Sequence, residues 1–428
     1  MTIERQRQHL IQLFEAAVEA ANPLQCVPPA LPDPPRDGRL VILGAGKGSA
    51  AMVQAAEAHY LDLEPEPEIV GCVVTRHGFS LPTQAVEIME GGHPVPDEDS
   101  VEAARRALEL AHAATEKDLV LVLLSGGASA LWSAPVAGVT LAEKQQVTRG
   151  LLASGARISE INCVRKHLSS IKGGRLALAA APAKLITLSI SDVPGDDPSA
   201  IGSGPTVGDP TTLADARRIL DDRGIELPPS VTAALGDARN ETPQPDDASF
   251  AHAEYLLVSR PADALNAAAE VAEKLGYEVR VLGDSIEGEA RDLAIEHARF
   301  ARECLDAGKR TALLSGGEVT VTVTGSGKGG PNQEYALSLA NALSGAPGIS
   351  ALAADTDGTD GGEGAADDPA GAVVDPTTGA RASSLGLNPA KFLINNDSTG
   401  FFRALDDLLL TGPTRTNVND FRVILIDC

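Results

Sequence analysis

Short apolar segments alternate with helical patterns through the first part of the chain. Continuous apolar runs bounded by turn residues predict strands, which lie at residues 39–43, 69–75, 86–90, 118–124 and 183–190. Helical periodicity predicts helices around them, at an amphipathic N-terminal segment and at 49–60, 98–115, 141–154 and 159–180. Because the strands are apolar on both faces, we predict an N-terminal Rossmann-like domain with a mostly parallel sheet covered by helices on both sides.

The alternation stops over residues 223–250, where prolines stand among polar residues. We place the domain boundary there and predict an N-terminal domain over 1–245 and a smaller C-terminal α/β domain over 246–428. In the second domain we predict strands at 254–258, 311–314 and 349–354, and helices at 261–275, at 287–307 and after Gly330. Residues 319–324 alternate with period two, which predicts a sheet that is not purely parallel.

Composition narrows the classes of function. The net charge of −24 argues against a nucleic-acid partner, because binding to a phosphate backbone needs a basic surface. The five cysteines are far apart and include no Cys-x-x-Cys, so we expect neither a disulfide framework nor a structural zinc site. The N-terminus has no apolar signal core and no run is long enough to span a bilayer, so we expect a cytoplasmic protein without a membrane partner.

One loop, residues 191–206, concentrates candidate chemistry after the predicted strand at 183–190. Its carboxylates include Asp192 and Asp196, and glycines, prolines and hydroxyls surround them. Ligands of open α/β sheets bind at such strand ends, and carboxylates there suit a hard cation such as Mg²⁺. A second acidic loop starts at Asp355, after the strand at 349–354. A surface turn with an acidic face is the alternative.

Lys47 lies in the glycine loop 44–49, between a predicted strand and a predicted helix. Backbone amides and the helix dipole favour an anion there, and Lys47, Gly46 and Gly48 are therefore candidates for binding phosphate. A solvated surface lysine is the alternative. The loop only partly matches a dinucleotide fingerprint, because Ser49 replaces the third glycine and the next strand ends at Arg76 instead of an acid.

The sequence Leu-Leu-Ser-Gly-Gly occurs twice, at residues 123–127 and 313–317. We predict a strand-to-glycine turn of one type in each domain. If both turns faced one cleft, they could bind two phosphorylated or carboxylated groups through the backbone amides of two triplets, Ser125, Gly126 and Gly127, and Ser315, Gly316 and Gly317.

A basic segment, residues 162–175, stands out in this acidic chain. At helical spacing, Lys166 shares a side with Gly173, and Arg165 and Lys166 could clamp a carboxylate or a phosphate. An exposed helix face that balances nearby acids is the alternative. His93, which precedes Pro94, is either a substrate ligand or a buried structural histidine.

Together these segments resemble the glycerate 2-kinase family whose C-terminal part is called the MOFRL domain. The matching segments span nearly the whole chain in order, at residues 44–49, 91–97, 124–130, 162–176, 191–209, 315–318, 329–334, 354–362, 395–400 and 411–419. The resemblance implies ATP-dependent phosphorylation of D-glycerate at its 2-hydroxyl, giving 2-phosphoglycerate. It also implies two α/β domains with the active site in the cleft between them, and Lys47 matches the family's cleft lysine.

From the resemblance and the needs of phosphoryl transfer we assign expected roles. Lys47 and Mg²⁺ would neutralise the phosphates of ATP, and Asp192 would orient or deprotonate the glycerate hydroxyl. The two Ser-Gly-Gly segments would offer amides, with Ser125–Gly127 on the substrate side, Ser315–Gly317 on the nucleotide side. The remaining assignments are Arg165 and Lys166 for the carboxylate, Asn332 and Glu334 for the cofactor, and Asp192, Asp196 and Asp355 for Mg²⁺.

The chain departs from the family at one position. Many relatives carry Arg immediately before Asn-Gln-Glu, whereas this chain has Pro331. Arg165, Lys166 or Arg415 could replace that arginine.

Two other functions stay open. Members of the family are often labelled hydroxypyruvate reductases, so an NAD(P)H-dependent reductase is one alternative. A non-catalytic sensor of a hydroxy acid is the other. The expected partner is a small-molecule substrate, a homodimer is left open, and the sequence does not decide which domain takes the nucleotide.

Overall fold

The chain forms two compact units, each built on a six-stranded sheet. This computed structural model describes residues 2–362 and 367–427. The parallel-sheet unit comprises Pro23–Ser191 and Asp196–Val258. The mixed-sheet unit comprises the residues up to Asn22, the segment Asp192–Gly195 and the residues from Ser259 onward.

This division differs from the predicted domains at the N-terminus and at the boundary after residue 245. The first helix, α1 (Ile3–Ala20), packs on the mixed-sheet unit, because its apolar face and its polar side chains both find partners there. The amide of Gln6 donates to the carbonyl of Gly348 at 3.0 Å. Arg7 forms ion pairs with Asp375 at 2.6 Å and Asp407 at 2.8 Å.

The parallel-sheet unit alternates strands and helices. Its elements, in chain order, are α2 (Pro23–Cys26), β1 (Leu40–Ala45), α3 (Ser49–Tyr60), β2 (Ile69–Arg76), β3 (Glu87–Gly91), α4 (Glu98–His112), β4 (Leu119–Leu124), α5 (Ala128–Leu131), α6 (Leu141–Ala153), α7 (Ile158–His167), α8 (Arg175–Ala180), β5 (Lys184–Ile190), α9 (Leu213–Asp222), α10 (Pro229–Gly236) and β6 (Ala253–Ser259). The strand order is β3-β2-β1-β4-β5-β6, and the pairs from β3 to β5 are parallel. The predicted Rossmann-like sheet is thus confirmed.

The sheet is buried from both sides, which explains its continuous apolar strands. All six residues of β1 and all six of β4 are buried. In register, Leu43 pairs with Val122 and Ala45 with Leu124. Both strands therefore end at the same edge, and the loops that follow them are neighbours.

The predicted helix over 159–180 is wrong in its middle. The structure has two helices, α7 and α8, separated by residues 168–174. Gly173 and Gly174 have φ angles of 57° and 81°, and this left-handed backbone interrupts a helix. Lys166 and Gly173 consequently do not share a helical face.

The mixed-sheet unit also carries helices on its sheet. Its elements after α1 are α11 (Pro261–Lys274), β7 (Glu278–Gly283), β8 (Gly288–Glu289), α12 (Ala290–Asp306), β9 (Thr311–Gly317), β10 (Val319–Thr320), α13 (Pro331–Leu343), β11 (Ile349–Asp355), β12 (Gly371–Val374), α14 (Thr378–Ser384), α15 (Pro389–Ile394), α16 (Ser398–Leu405), β13 (Leu408–Leu409) and β14 (Asp420–Ile426). The order of the large sheet is β13-β12-β11-β14-β9-β7.

The mixed character of this sheet is confirmed, but its cause differs from the predicted one. β11, β12, β13, β14 and β9 pair antiparallel, and β7 pairs parallel with β9. The alternating segment 319–324 contributes only β10, which pairs with β8 in a separate two-stranded sheet. The core lies between the large sheet and helices α12 and α13, where Leu337 and Ile426 are fully buried.

Within the residues described, no helix combines the length and apolarity needed to cross a membrane. Cys26, Cys72, Cys163 and Cys304 form no disulfide bond among the described residues, and Cys428 lies outside those residues.

Candidate functional site

Two loops meet where the strand order of the parallel sheet reverses, between β1 and β4. Ligands of open α/β sheets bind at this switch point. The loop after β1 carries Lys47, whose amide donates to the carbonyl of Gly126 at 2.8 Å. The amide of Gly48 donates to Ser125 Oγ at 2.9 Å. A side chain at Gly46 would collide with the same hydroxyl, since its Cβ would lie 2.1 Å from Ser125 Oγ. The turn after β4 thus supports the Lys47 loop.

The turn at Ser125–Gly127 has backbone amides that are available as hydrogen-bond donors. Among the described residues, the amides of Gly126 and Gly127 donate to no acceptor. Gly127 adopts φ 86° and lies beside two side chains of the unit. A Cβ at this position would stand 3.0 Å from His93 Nε2 and 3.4 Å from Lys47 Cγ. Lys47, His93 and two available amides therefore surround one point at the carboxyl edge of the sheet, an arrangement suited to an anion.

Asp192 belongs to the mixed-sheet unit, where two asparagines hold it. Asn417 donates from its side-chain amide to Asp192 Oδ2 at 3.0 Å. Asn419 donates to the main-chain carbonyl of Asp192 at 2.8 Å. These bonds hold the half-buried Asp192 in place. Both asparagines lie in the family-like segment 411–419, but no role was predicted for either of them.

Asp355 ends β11 in the same unit and starts a loop of internally bonded acids. Its Oδ1 accepts from the amide of Asp357 at 2.9 Å. Asp357 Oδ1 accepts from the amide and the hydroxyl of Thr359 at 2.8 and 2.9 Å. The segment 411–419 packs beside this loop, since Thr414 donates its hydroxyl to the carbonyl of Thr356 at 2.5 Å.

The second Ser-Gly-Gly sequence is not a turn. Ser315, Gly316 and Gly317 are the last residues of β9 and pair with Arg422, Phe421 and Asp420 of β14. The buried Arg422 guanidinium donates to the carbonyl of Gly316 at 2.7 Å and forms an ion pair with Asp420 at 2.9 Å. This part of the predicted phosphate cradle is therefore engaged in the sheet.

Asn332 and Glu334 open helix α13 and are buried. Asn332 donates from its side-chain amide to Asp420 at 2.5 Å and to Asp360 at 3.2 Å. Glu334 forms an ion pair with Arg291 and accepts from the Asn396 amide at 3.3 Å. Burial nevertheless raises the pKa of Glu334. Both predicted cofactor ligands thus have internal partners.

The two neighbouring cations of the basic segment have different surroundings. Lys166 is buried and forms an ion pair with the buried Asp209 at 3.3 Å. Arg165 is half-buried and makes no ion pair or hydrogen bond with any residue that the structure describes. Only Arg165 therefore keeps its charge available for a ligand. Two further cations, Lys144 and Lys172, were given no individual role from the sequence. Lys172 lies in the basic segment 162–175, and the helical spacing of Lys144 with the buried Val147 and Leu151 was a usable signal.

The acidic residues fit a hard cation in their chemistry. Asp196 Oδ1 is buried and has no hydrogen-bond partner among the described residues. An unsatisfied buried oxygen is costly, and a cation would satisfy it. One other acidic group, His77 with Asp97 and Asp99, has ligand atoms within 4.8 Å of one another. Its Asp97 caps helix α4 and bonds His77 at 2.7 Å, which accounts for the arrangement without a metal.

Comparison with known proteins agrees with this architecture. A sequence model described as "Domain of unknown function (DUF4147)" matches residues 9–236, and one described as "MOFRL family" matches residues 311–420. A D-glycerate 2-kinase of Thermotoga maritima is 40% identical over 423 residues, with 97% of both chains covered. The chain belongs to the glycerate 2-kinase family with a MOFRL domain. A crystal structure of a glycerate kinase from the same organism superposes with a TM-score of 0.88 at 39% identity and covers 99% of this chain and 100% of that one.

Within the glycerate 2-kinase family, names differ. A protein of Agrobacterium vitis named "Putative hydroxypyruvate reductase" is 50% identical over 426 residues, covering 98% of this chain and 94% of its own. The family departure at Pro331 has a structural reason here. Pro331 is the first residue of α13, where a helix needs no amide donor and tolerates proline.

Proposed function

We propose that this protein is a glycerate 2-kinase, which transfers the γ-phosphoryl group of ATP to the 2-hydroxyl of D-glycerate and releases 2-phosphoglycerate and ADP. One observation carries the proposal. At the switch point of the sheet, Lys47 lies beside a turn with two available amides, and a relative and a solved structure that match this chain over nearly their full length are named glycerate kinases.

Phosphoryl transfer needs charge neutralisation and in-line positioning more than covalent chemistry. Lys47 would neutralise negative charge on the transferred phosphoryl group, and the amides of Gly126 and Gly127 would donate to its oxygens. Gly46 and Gly48 serve by letting the Lys47 loop pack tightly on Ser125. The 2-hydroxyl oxygen forms the new bond to phosphorus, while the bond from phosphorus to the bridging oxygen of ADP breaks.

We propose Asp192 as the group that receives the proton of the 2-hydroxyl. Asn417 donates to Asp192 Oδ2 at 3.0 Å, and this contact holds the carboxylate in one orientation. A carboxylate held in one orientation loses little entropy when it accepts a proton. Asp192→Asn would keep both asparagine contacts partly intact and remove the base.

Mg²⁺ is the expected cofactor, and Asp192, Asp196 and Asp355 are the residues we propose to hold it. When bound, Mg²⁺ neutralises charge on the phosphates of ATP. The orphaned oxygen of Asp196 is the observation that favours this set. Asn332, Glu334 and Ser315–Gly317 stay in the proposal as residues that shape the nucleotide side and not as direct phosphate ligands.

Arg415 is the best placed substitute for the family arginine that Pro331 replaces. It lies half-buried in the segment that packs against the Asp355 loop and carries Asn417. Lys166 is unsuitable because Asp209 already neutralises it. Homodimerisation, a cytoplasmic location and a site formed by both units stay predictions.

The reductase alternative is favoured by the name of the Agrobacterium vitis relative. A dinucleotide site needs an acid at the end of β2, and this chain has Arg76, whose guanidinium lies 4.6 Å from the centre of the Phe79 ring. A sensor without catalysis would bind the hydroxy acid and leave ATP intact.

One experiment separates the three functions. The purified full-length protein is incubated with D-glycerate, ATP and Mg²⁺, and the products are identified by ³¹P NMR, with hydroxypyruvate and NADH in a parallel sample. We expect 2-phosphoglycerate and ADP, and no NADH loss. Formation of 3-phosphoglycerate would overturn the position of transfer. NADH oxidation without ADP would overturn the kinase, and no product in either sample would support the sensor.

A further inference from the structure

A small cavity in the parallel-sheet unit is lined by several basic side chains that no acidic side chain neutralises among the described residues. Its volume is about 260 Å³, and it is lined by Pro94, Pro96, Leu141, Lys144, Arg165 and Lys172 together with serines of α5 and its neighbour. Pockets for drug-sized molecules span roughly 300–1,000 Å³. The cavity therefore suits a smaller molecule.

Four cations line the cavity, the exposed Arg149 and the more buried Lys144, Arg165 and Lys172, and none of them has a carboxylate partner among the described residues. Lys144 is 6% exposed and its Nζ makes no hydrogen bond. Lys172 is 2% exposed and donates only to Ser129, to the carbonyl at 2.7 Å and to the hydroxyl at 3.2 Å. Buried charges are costly without a counter-ion. An anion bound in the cavity would offset this cost.

A neutral hydroxyl also lacks a partner in this cavity. Ser133 Oγ is buried and unbonded. The basic side chains and the Ser133 hydroxyl together form a set of donors for the two oxygens of a carboxylate.

The cavity lies next to the proposed phosphate-binding position, which is the one surrounded by Lys47, His93 and the two available amides. Ser129 follows the Ser125–Gly127 turn by two residues, and Pro94 follows His93, the neighbour of Gly127. A three-carbon hydroxy acid with its carboxylate in the cavity would present its other end toward that turn. We propose that this cavity binds the carboxylate of the acceptor hydroxy acid through Lys144, Arg165 and Lys172. This inference rests on the proposed function, which supplies the identity of the acid.

The titration of the lysines agrees with a missing anion. Burial, with Arg165 and Arg175 nearby, lowers the pKa of Lys144 to about 7. Burial, with Lys144 and Arg165 nearby, lowers the pKa of Lys172 well below its usual value. Burial also lowers the pKa of Arg165. A bound carboxylate raises all three, because it favours the charged forms.

Calorimetric titration of the full chain with D-glycerate, in the absence of ATP, tests the inference. We expect the wild type to bind D-glycerate and not glycerol, which has no carboxylate. We expect Lys144→Met and Arg165→Gln to bind D-glycerate roughly 10- to 100-fold more weakly, the value of a hydrogen bond to a charged group. Lys184→Gln, an exposed control in the same unit, keeps the wild-type affinity. Unchanged affinity in Lys144→Met and Arg165→Gln overturns the inference.

Two measurements on the wild-type protein test the inference even if these variants do not fold. At pH 8, binding of D-glycerate should take up protons, seen as a dependence of the binding heat on the ionisation heat of the buffer. No uptake overturns the inference. Inorganic phosphate should compete poorly, and binding of phosphate tighter than D-glycerate would assign the cavity to a phosphate instead. Because no ATP is present, these outcomes are independent of whether the protein transfers a phosphoryl group.

Discussion

The turn at Ser125–Gly127 and the strand end at Ser315–Gly317 share five residues of sequence and differ in structure. In the parallel-sheet unit, β4 ends at Leu124, level with the end of β1 at Ala45. The following glycines leave the sheet and keep their amides available. In the mixed-sheet unit, β9 continues through Gly317, because β14 pairs with it as far as Asp420.

The partner strands explain this difference. β1 and β4 are parallel and end together, so no strand remains to pair with the glycines. β14 runs antiparallel and begins opposite Gly317, and its Arg422 binds the Gly316 carbonyl. A cation accompanies each Ser-Gly-Gly segment. Lys47 is half-buried beside a turn with available amides, whereas Arg422 is 1% exposed and bonded to the sheet. The same five residues therefore form a turn with available amides only where the sheet stops.

We expect the largest effect, a loss of thermal stability, when the buried cation Arg422 is replaced. Arg422→Met leaves the buried Asp420 unpaired, which costs about 3–5 kcal/mol, and a change of this size lowers Tm by roughly 6–20 °C. Scanning calorimetry measures the shift. Arg299→Met, an exposed control in the same unit, should leave Tm unchanged. An equally small shift in both variants would contradict a structural role for Arg422.

Replacement of Lys47, the cation beside the Ser125–Gly127 turn, should lower the rate of the reaction and leave the stability of the fold nearly unchanged. Lys47→Met should lower kcat for D-glycerate phosphorylation by about 10²- to 10³-fold, the usual loss for a charge-stabilising donor. Tm should stay within about 2 °C of the wild-type value, because a half-buried cation contributes little to stability. Coupled ADP detection measures turnover, and Lys184→Met is the matched control. Full activity in Lys47→Met would remove Lys47 from the site.

The sequence was sufficient for the architecture and for the part of the site that depends on local structure. Apolar runs and their alternation with helices predicted the parallel sheet, since buried parallel strands need apolar residues on both faces. Lys47 and Ser125–Gly127 were predicted as site residues because glycine loops after such strands have a recognisable pattern, and the structure places the two loops side by side.

The remaining site residues depend on contacts between distant segments. Arg422 reaches Gly316 only through the pairing of β14 with β9, and no pattern at the C-terminus indicated that pairing. Lys172 reaches Ser129 because helix α7 ends at His167 instead of continuing as periodicity predicted, and the left-handed Gly173 and Gly174 lie in the segment between α7 and α8. A charge pattern also does not distinguish the paired Lys166 from the unpaired Arg165, which are adjacent in sequence.

A matched pair of glycine substitutions tests the difference between the strand end at Gly317 and the turn at Gly127. In Gly317→Ala, the added Cβ would stand 2.1 Å from the Ile286 amide and 2.3 Å from its carbonyl, both backbone atoms. We expect a loss of about 2–3 kcal/mol, seen as a lower Tm. In Gly127→Ala, the contact is with the movable His93 ring, so we expect only about 1–2 kcal/mol from the left-handed backbone, together with lower activity. A larger Tm loss in Gly127→Ala would reverse the comparison.

We expect the smallest effect, a change of stability with pH, from Asp360. Its carboxyl group accepts hydrogen bonds from backbone amides at the start of helix α13. Asp360 accepts from the amides of Asn332 at 2.9 Å and Gln333 at 2.8 Å. Complete burial, which outweighs these bonds, raises the pKa of Asp360 to about 7. The native state then holds a proton that the unfolded state has released, and stability falls as pH rises toward and through 7. Between pH 6 and 8 the loss is about 1 kcal/mol.

Paired thermal melts of the wild type and Asp360→Asn measure this loss. Asn cannot ionise, so the stability difference between the two proteins should change by about 1 kcal/mol between pH 6 and 8, in favour of the variant at pH 8. Glu334 is a second buried acid with a raised pKa and is present in both proteins, so its contribution cancels. A difference that does not depend on pH would mean that Asp360 does not titrate between pH 6 and 8, which would contradict its raised pKa of about 7.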